Sequence, residues 1–251
     1  MNCVVIIPCF NEAAAIGPLV TAVRAFLPQV LVLDDGSTDD TAELAAADGA
    51  EVLRFPMNRG KGIALQRGLS RARELGFDWA LLLDGDGQHT PEDIDGFLAA
   101  MQANCADLVI GNRLLTPAAM PFVRRAANRA MSGVLSQMSG VSLPDSQCGF
   151  RLVRLSAWEP LVLRAARFEV ESEMLMAFLA AGRRVEFIPV QCRYQSEQSK
   201  IRPLRDTLRW LRWLWRSRGE FIRARTCSGS FVFSRRFHPR SPIWKARAVT
   251  R

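Results

Sequence analysis

No stretch of the chain strings together 18 apolar residues, so the sequence offers no membrane-spanning helix. Its opening, MNCVVIIPCFNE, has no basic lead-in and its apolar run stops after five residues, which argues against a secretory leader. Six cysteines, at 3, 9, 105, 148, 192 and 227, include no C-x-x-C pair. Neither a zinc site nor a disulfide framework is expected, and reduced thiols of a cytosolic protein fit better. Internal repeats and low-complexity tracts are absent. Glycine fingerprints for nucleotides are missing too. GKGIAL, from Gly60, fails the last position of G-x-G-x-x-G, and Phe55 stands where a P-loop needs its first glycine. Gly60 and Gly62 instead read as the opening of a helix whose N–H groups are placed to face an anion.

What is present is enough for one large domain, or a domain with an appendage: 251 residues, 49% of them apolar. The net charge of +8 is unevenly distributed. Residues 201–251 carry 14 Lys and Arg against 2 Asp and Glu, whereas residues 1–200 carry 19 against 23. A mildly acidic body with a strongly basic tail expects phosphate, on a membrane surface or on nucleic acid.

Through residue 112, short apolar runs at 4–7, 30–33, 52–55, 80–83 and 108–110 alternate with amphipathic segments near 13–27, 38–49, 60–76 and 91–104. Runs that are apolar on both faces and separated by helices predict a mostly parallel sheet covered on both sides. Ser37-Thr38 and Thr90-Pro91-Glu92 supply helix-start signals. Further on, helices are expected near 124–139 and 171–182 and a strand at 185–190. The polar residues Asn11-Glu12, Asp34-Asp35, Asp84 with Asp86, and Arg113 each follow an expected strand. In open α/β sheets ligands bind beyond the carboxyl ends of the strands, so these residues should line one crevice.

Asp84 and Asp86, in LLLDGDGQH, cannot both stay ionised cheaply without a cation between them. A hard divalent ion such as Mg²⁺ or Mn²⁺ takes such oxygen ligands, and Gln88 alternates onto the same side in an extended segment. Asp-Gly-Asp-Gly is equally simple turn chemistry.

Six blocks in order, IIPCFNE, VLDDGSTDDT, NRGKGIALQRGL, LLLDGDGQHTPED, IGNR and DSQCGFRLV, resemble the family 2 glycosyltransferases, and most of all their polyprenyl-phosphate branch, the relatives of dolichol-phosphate mannose synthase. The resemblance spans about residues 2–200 and implies a GT-A fold, a nucleotide-sugar donor and a divalent metal. It implies that Pro8, Phe10 and Glu12 frame the nucleotide base, with Leu33 and Asp35 completing the pocket. Asp84, Asp86 and Gln88 would hold the metal and diphosphate, and Gly85 would lie against the nucleotide. Arg113, Arg193 and Lys200 would grip the diphosphate, and Arg124, Asn128 and Arg129 the phosphate of a lipid acceptor.

The acceptor sets the mechanism. A phosphate monoester is already ionised near neutral pH, with a second pKa of about 6, and needs no base. A sugar hydroxyl does need one, and Asp145, Glu171 and Glu173 are the available carboxylates. Leu204, Leu208, Leu211 and Trp215 recur at helical spacing, broadened by Trp210, Trp213 and Leu214 and flanked by Arg205, Arg209, Arg212 and Arg216. A basic helix of this kind lies flat in a membrane interface, or packs on the catalytic domain or a partner. The expected organisation is a catalytic domain over 1–200, a surface helix over 201–225 and a loose basic end over 226–251. The protein is expected at the cytosolic face of the membrane.

Two rivals are weaker. A haloacid-dehalogenase-like phosphatase also has D-x-D-G after an apolar strand, but at its first strand and without the glutamine. A nucleic-acid binder would use the basic tail, yet the body matches no reader motif.

Overall fold

The computed structural model describes residues 2–115, 120–193 and 203–227. The apolar runs become strands: β1 (Cys3–Cys9), β2 (Val30–Asp34), β3 (Glu51–Arg54), β4 (Trp79–Leu82), β5 (Leu108–Asn112), β6 (Arg151–Arg154) and β7 (Val185–Pro189). They form one sheet in the order β3-β2-β1-β4-β6-β5-β7. Val5 of β1 lies between Val30 of β2 and Leu81 of β4, both running parallel to it. Every residue of β2, β4 and β5 is buried. Successive side chains point to opposite faces, so both faces of the sheet are covered, as the sequence predicts.

β6 is the departure. It is inserted between β4 and β5 and runs antiparallel to both. Four residues with arginine at each end give little apolar signal, and the sequence pattern does not announce it. Arg154 stacks over the Trp79 ring at 4.2 Å, and Arg151 is fully buried. Since β4 and β5 both run against β6, they share a direction, and their carboxyl ends lie on one edge with those of β1 and β2.

The helices are α1 (Ala13–Arg24), α2 (Thr41–Ala47), α3 (Lys61–Glu74), α4 (Ile94–Ala103), α5 (Phe122–Ser139), α6 (Leu155–Trp158), α7 (Val170–Ala180) and α8 (Pro203–Cys227). The helix expected from residue 38 starts at Thr41 instead. Ser37 N–H donates to Asp34 and Thr41 N–H to Asp39, so the residues before α2 form side-chain-bonded turns. α4 stops at Asn104, which adopts the left-handed conformation (φ 52°). α8 packs against α5 and α7. No helix among the described residues is long and apolar enough to cross a membrane.

Candidate active site

The edge where β1, β2, β4 and β5 end is built from loops that latch onto one another. Asn11, in the left-handed region at φ 54°, donates its N–H to Ser37 Oγ at 2.9 Å and accepts Thr38 N–H on its side chain at 2.8 Å. Glu12 N–H donates to Thr41 Oγ1 at 2.8 Å, and the Glu12 carbonyl starts α1. Pro8, Phe10 and Glu12 are half-buried along this rim. Leu33 is not on it: the side chain is fully buried and lies against Gly68 of α3, where an added Cβ would come within 2.5 Å. Asp35 faces the edge, but both its oxygens accept backbone N–H groups, from Arg59 at 2.8 Å and Gly60 at 2.7 Å. Burial raises its pKa in spite of those bonds.

Gly60 (φ 100°) and Gly62 begin α3 in contact with the loop before α7. Their added Cβ atoms would meet the carbonyl oxygens of Ala166 and Ala165. Gly62 N–H donates to Ala166 O at 2.9 Å and Ile63 N–H leans on it at 3.4 Å. The helix-opening N–H groups expected to face an anion therefore face a backbone carbonyl. What α3 offers the site is the side chain of Lys61, its first residue. Lys61 Nζ lies 2.5 Å from Asp84 Oδ1 and 2.5 Å from Glu171 Oε1. Burial alone would lower its pKa; the two carboxylates reverse this and hold it above the ordinary value.

Asp84 and Asp86 follow β4, both half-buried. Burial pushes Asp84 up, but Lys61, with His89 and Arg113, brings it down to about 2. Asp86 goes the other way: burial first, then the Asp84 charge, raises it, against one backbone bond from Gln88 N–H at 3.1 Å. Gly85 packs against β1, since a Cβ there would come within 2.5 Å of Cys9 Sγ. That contact explains the glycine without a ligand. His89 is buried against Phe150, with Nε2 4.0 Å from Asp84. Burial holds its pKa down at about 4.

Arg113, the first residue after β5, grips Asp145 with Nε and Nη2, both at 2.9 Å. Arg113 N–H and Gln147 N–H also donate to the same carboxylate. Asp145 is fully buried, and despite that burial Arg113 holds its pKa below the ordinary value. This geometry runs against a general-base role, which needs a pKa near the operating pH and an oxygen open to the acceptor. Glu173 is engaged through one oxygen, Oε2, which accepts the N–H groups of Arg164 and Ala165 at 2.8 and 2.7 Å. Glu171 differs: its Oε2 is buried and finds no hydrogen-bond partner among the described residues. Arg151 fastens this region, donating to the carbonyls of Cys148, Glu171 and Ser146.

The acceptor trio divides. Arg124 reaches the Gln88 side chain at 3.5 Å, and Asn128, one turn along α5, is buried beside Met120. Arg129 is exposed. Arg193 is brought to the site by its backbone, whose N–H donates to Gln88 O at 2.8 Å. Lys200 lies outside the described residues, as do Leu204's side chain and the expected loose end beyond Cys227. The apolar stripe of α8 divides as well. Trp210 and Trp213 are buried, with Trp210 Nε1 donating to Ser172 Oγ at 2.9 Å. Leu208, Leu211 and Trp215 are exposed, the last by 66%.

Asp84 and Asp86 offer hard oxygen donors one residue apart, and Asp86 is raised first by burial and then by the Asp84 charge beside it. That donor set suits Mg²⁺ or Mn²⁺ completed by a ligand's phosphate oxygens. It is not a cage made by protein alone: no cluster of three His, Cys, Asp or Glu side chains able to hold a metal occurs among the described residues. Lys61 and Gly149 went unnoticed in the sequence reading. Gly149 lies so close to Asp84 that a Cβ would come within 2.5 Å of Oδ2.

Comparison with known proteins adds a family. Residues 4–161 match the model of glycosyl transferase family 2. An undecaprenyl-phosphate mannosyltransferase of Micrococcus luteus is 30% identical over 203 residues, 76% of this chain and 83% of that one. A UDP-N-acetylglucosamine–dolichyl-phosphate N-acetylglucosaminyltransferase of Methanococcus voltae is 29% identical, over 75% of this chain and 84% of that one. Among solved structures, glucosyl-3-phosphoglycerate synthase of Mycobacterium tuberculosis with Mn²⁺, UDP and phosphoglyceric acid superposes with a TM-score of 0.68 at 20% identity, covering 88% of this chain and 78% of that one. That likeness is one of fold.

Proposed function

Because the chain belongs to glycosyltransferase family 2 and has its GT-A fold, we propose that it moves a hexose from a nucleotide sugar to a polyprenyl phosphate at the inner face of the cytoplasmic membrane, with inversion. One observation carries the choice of acceptor: Arg113 holds both oxygens of Asp145, Glu173 Oε2 accepts two backbone N–H groups, and Glu171 Oε1 is tied to Lys61. Each of these three candidate bases is committed through at least one oxygen, which disfavours a hydroxyl acceptor. A phosphate acceptor needs none, because it arrives ionised. The relatives named for undecaprenyl and dolichyl phosphates support the same acceptor class.

The lipid phosphate oxygen attacks the anomeric carbon, the bond from that carbon to the diphosphate breaks, and the nucleoside diphosphate leaves. Arg124 and Asn128 orient the incoming phosphate from α5. Lys61 and Arg193 place positive charge beside the departing diphosphate, where preorganised electrostatics act most strongly. A divalent cation held by Asp84 and Asp86, with Gln88 beside them, supplies Lewis acidity to the leaving group when bound. Arg113 acts through Asp145, tying the end of β5 to the loop that leads into β6. The exposed Leu208, Leu211 and Trp215, flanked by Arg205, Arg212 and Arg216, form the lipid-facing side of α8.

The test is transfer of label from GDP-mannose, UDP-glucose or UDP-N-acetylglucosamine to undecaprenyl phosphate. Label extracted into organic solvent, and abolished by chelator, is the expected result. Metal-dependent hydrolysis or binding of donor without lipid product would overturn the acceptor and leave the family intact.

A further inference from the structure

Lys61 sits on an oxygen that a metal ion would use. Its ammonium touches Asp84 Oδ1 and Glu171 Oε1 at once, with the side chain 14% exposed. The two carboxylates differ in freedom. Asp84 lies over Gly149, where an added Cβ would come within 2.7 Å of both its oxygens, so the carboxylate occupies the space that a side chain there would fill. Glu171 keeps a second oxygen, Oε2, buried and without a hydrogen-bond partner among the described residues. The lysine itself ends a flexible four-carbon stem with three donors. Of the three groups, the ammonium is the one free to move, and Glu171 is its alternative seat.

Resting on the metal reading above, we propose that Lys61 is a resident cation that a divalent metal displaces from Asp84, retreating onto Glu171, and that this exchange makes metal and nucleotide bind as a pair. An ammonium and a divalent ion repel each other across one carboxylate oxygen, so metal alone must first dislodge the lysine. A diphosphate arriving with the metal gives the displaced ammonium a second anion and removes that penalty. The two ligands therefore tighten each other, and the coupling is reciprocal. Glu171 is a positioning residue in this scheme, acting on the metal only through Lys61.

The experiment is a titration of the full chain with Mn²⁺, reading free Mn²⁺ by electron paramagnetic resonance, with and without UDP or GDP. Lys61→Met is expected to bind Mn²⁺ alone about tenfold more tightly than the wild type, and to lose most of the tightening that the nucleotide brings. Glu171→Gln leaves the ammonium a single strong partner, so it is expected to bind Mn²⁺ alone more weakly than the wild type. This second variant keeps the Asp84 pair and carries the test by itself if Lys61→Met fails to fold. Unchanged or weakened Mn²⁺ affinity in a folded Lys61→Met, or unchanged or tightened affinity in Glu171→Gln, overturns the exchange while leaving the metal site standing. A wild type that takes up no Mn²⁺ with either nucleotide removes the metal site, and the exchange with it.

Discussion

Two ion-paired groups stand on the edge where β4 and β5 end, and they are made differently. Arg113 and Asp145 close on each other through paired 2.9 Å contacts, both buried, with two backbone N–H groups completing the carboxylate. Lys61 is shared between Asp84 and Glu171, with Asp84 half-exposed and one Glu171 oxygen unpartnered among the described residues. A bidentate arginine holds a planar partner in one geometry, whereas a lysine is a point charge on a mobile stem. The first arrangement holds a loop in place, and the second leaves room for charge to be exchanged.

The contrast breaks most visibly by deletion. Asp84→Asn should lower transfer by about a hundred- to a thousandfold, the range seen when one preorganised electrostatic partner is lost. Its thermal midpoint should hardly move, because Lys61 keeps Glu171. Arg113→Met should do the reverse in kind, leaving Asp145 buried and unpaired at a cost of about 3–5 kcal/mol, read by denaturant unfolding. Equal effects of the two substitutions on stability would erase the distinction.

His89 sharpens it, because it feels charges from both groups. Burial holds its folded pKa at about 4, below the ordinary 6.5. As pH falls from about 6.5 to about 4, the unfolded chain gains a proton that the folded one refuses, so stability drops across that window. His89→Gln should flatten the drop, measured as unfolding free energy against pH.

The smallest effect concerns α5. Arg124→Ala should weaken use of the lipid phosphate by about tenfold, in line with losing one charge-assisted contact, whereas the exposed Arg129→Ala should leave the rate within about twofold. A steady-state comparison with varied undecaprenyl phosphate separates the two.

The parts of this molecule that follow from local pattern were readable in advance. Apolar runs marked six of the seven strands, and the polar residues after β1, β2, β4 and β5 do meet on one edge. What escaped depends on contacts between distant segments. Leu33 stands at a strand end beside Asp35, yet the pleat turns it into the core against α3, and position alone does not reveal which face is lined. Lys61 takes its role from Glu171, more than a hundred residues away, and from a carbonyl of Ala166 that occupies the helix N–H groups. On α8 the helical period identified the apolar residues, but not that Trp210 and Trp213 would be buried where α8 packs on α5 and α7 while Leu208, Leu211 and Trp215 stay outside.

The antiparallel strand β6 has a consequence for the order in which the chain assembles. β1 through β4 find their parallel partners among themselves, so that half of the sheet can form as soon as those residues leave the ribosome. β5 pairs with β6 and β7, both of which are synthesised later. At about 5–20 residues per second, the wholly buried strand Leu108–Asn112 waits several seconds for the neighbours that will cover its edges. During that interval Arg113 has no Asp145 to hold, and the nascent protein exposes an apolar strand while the β1–β4 half of the sheet is already in place.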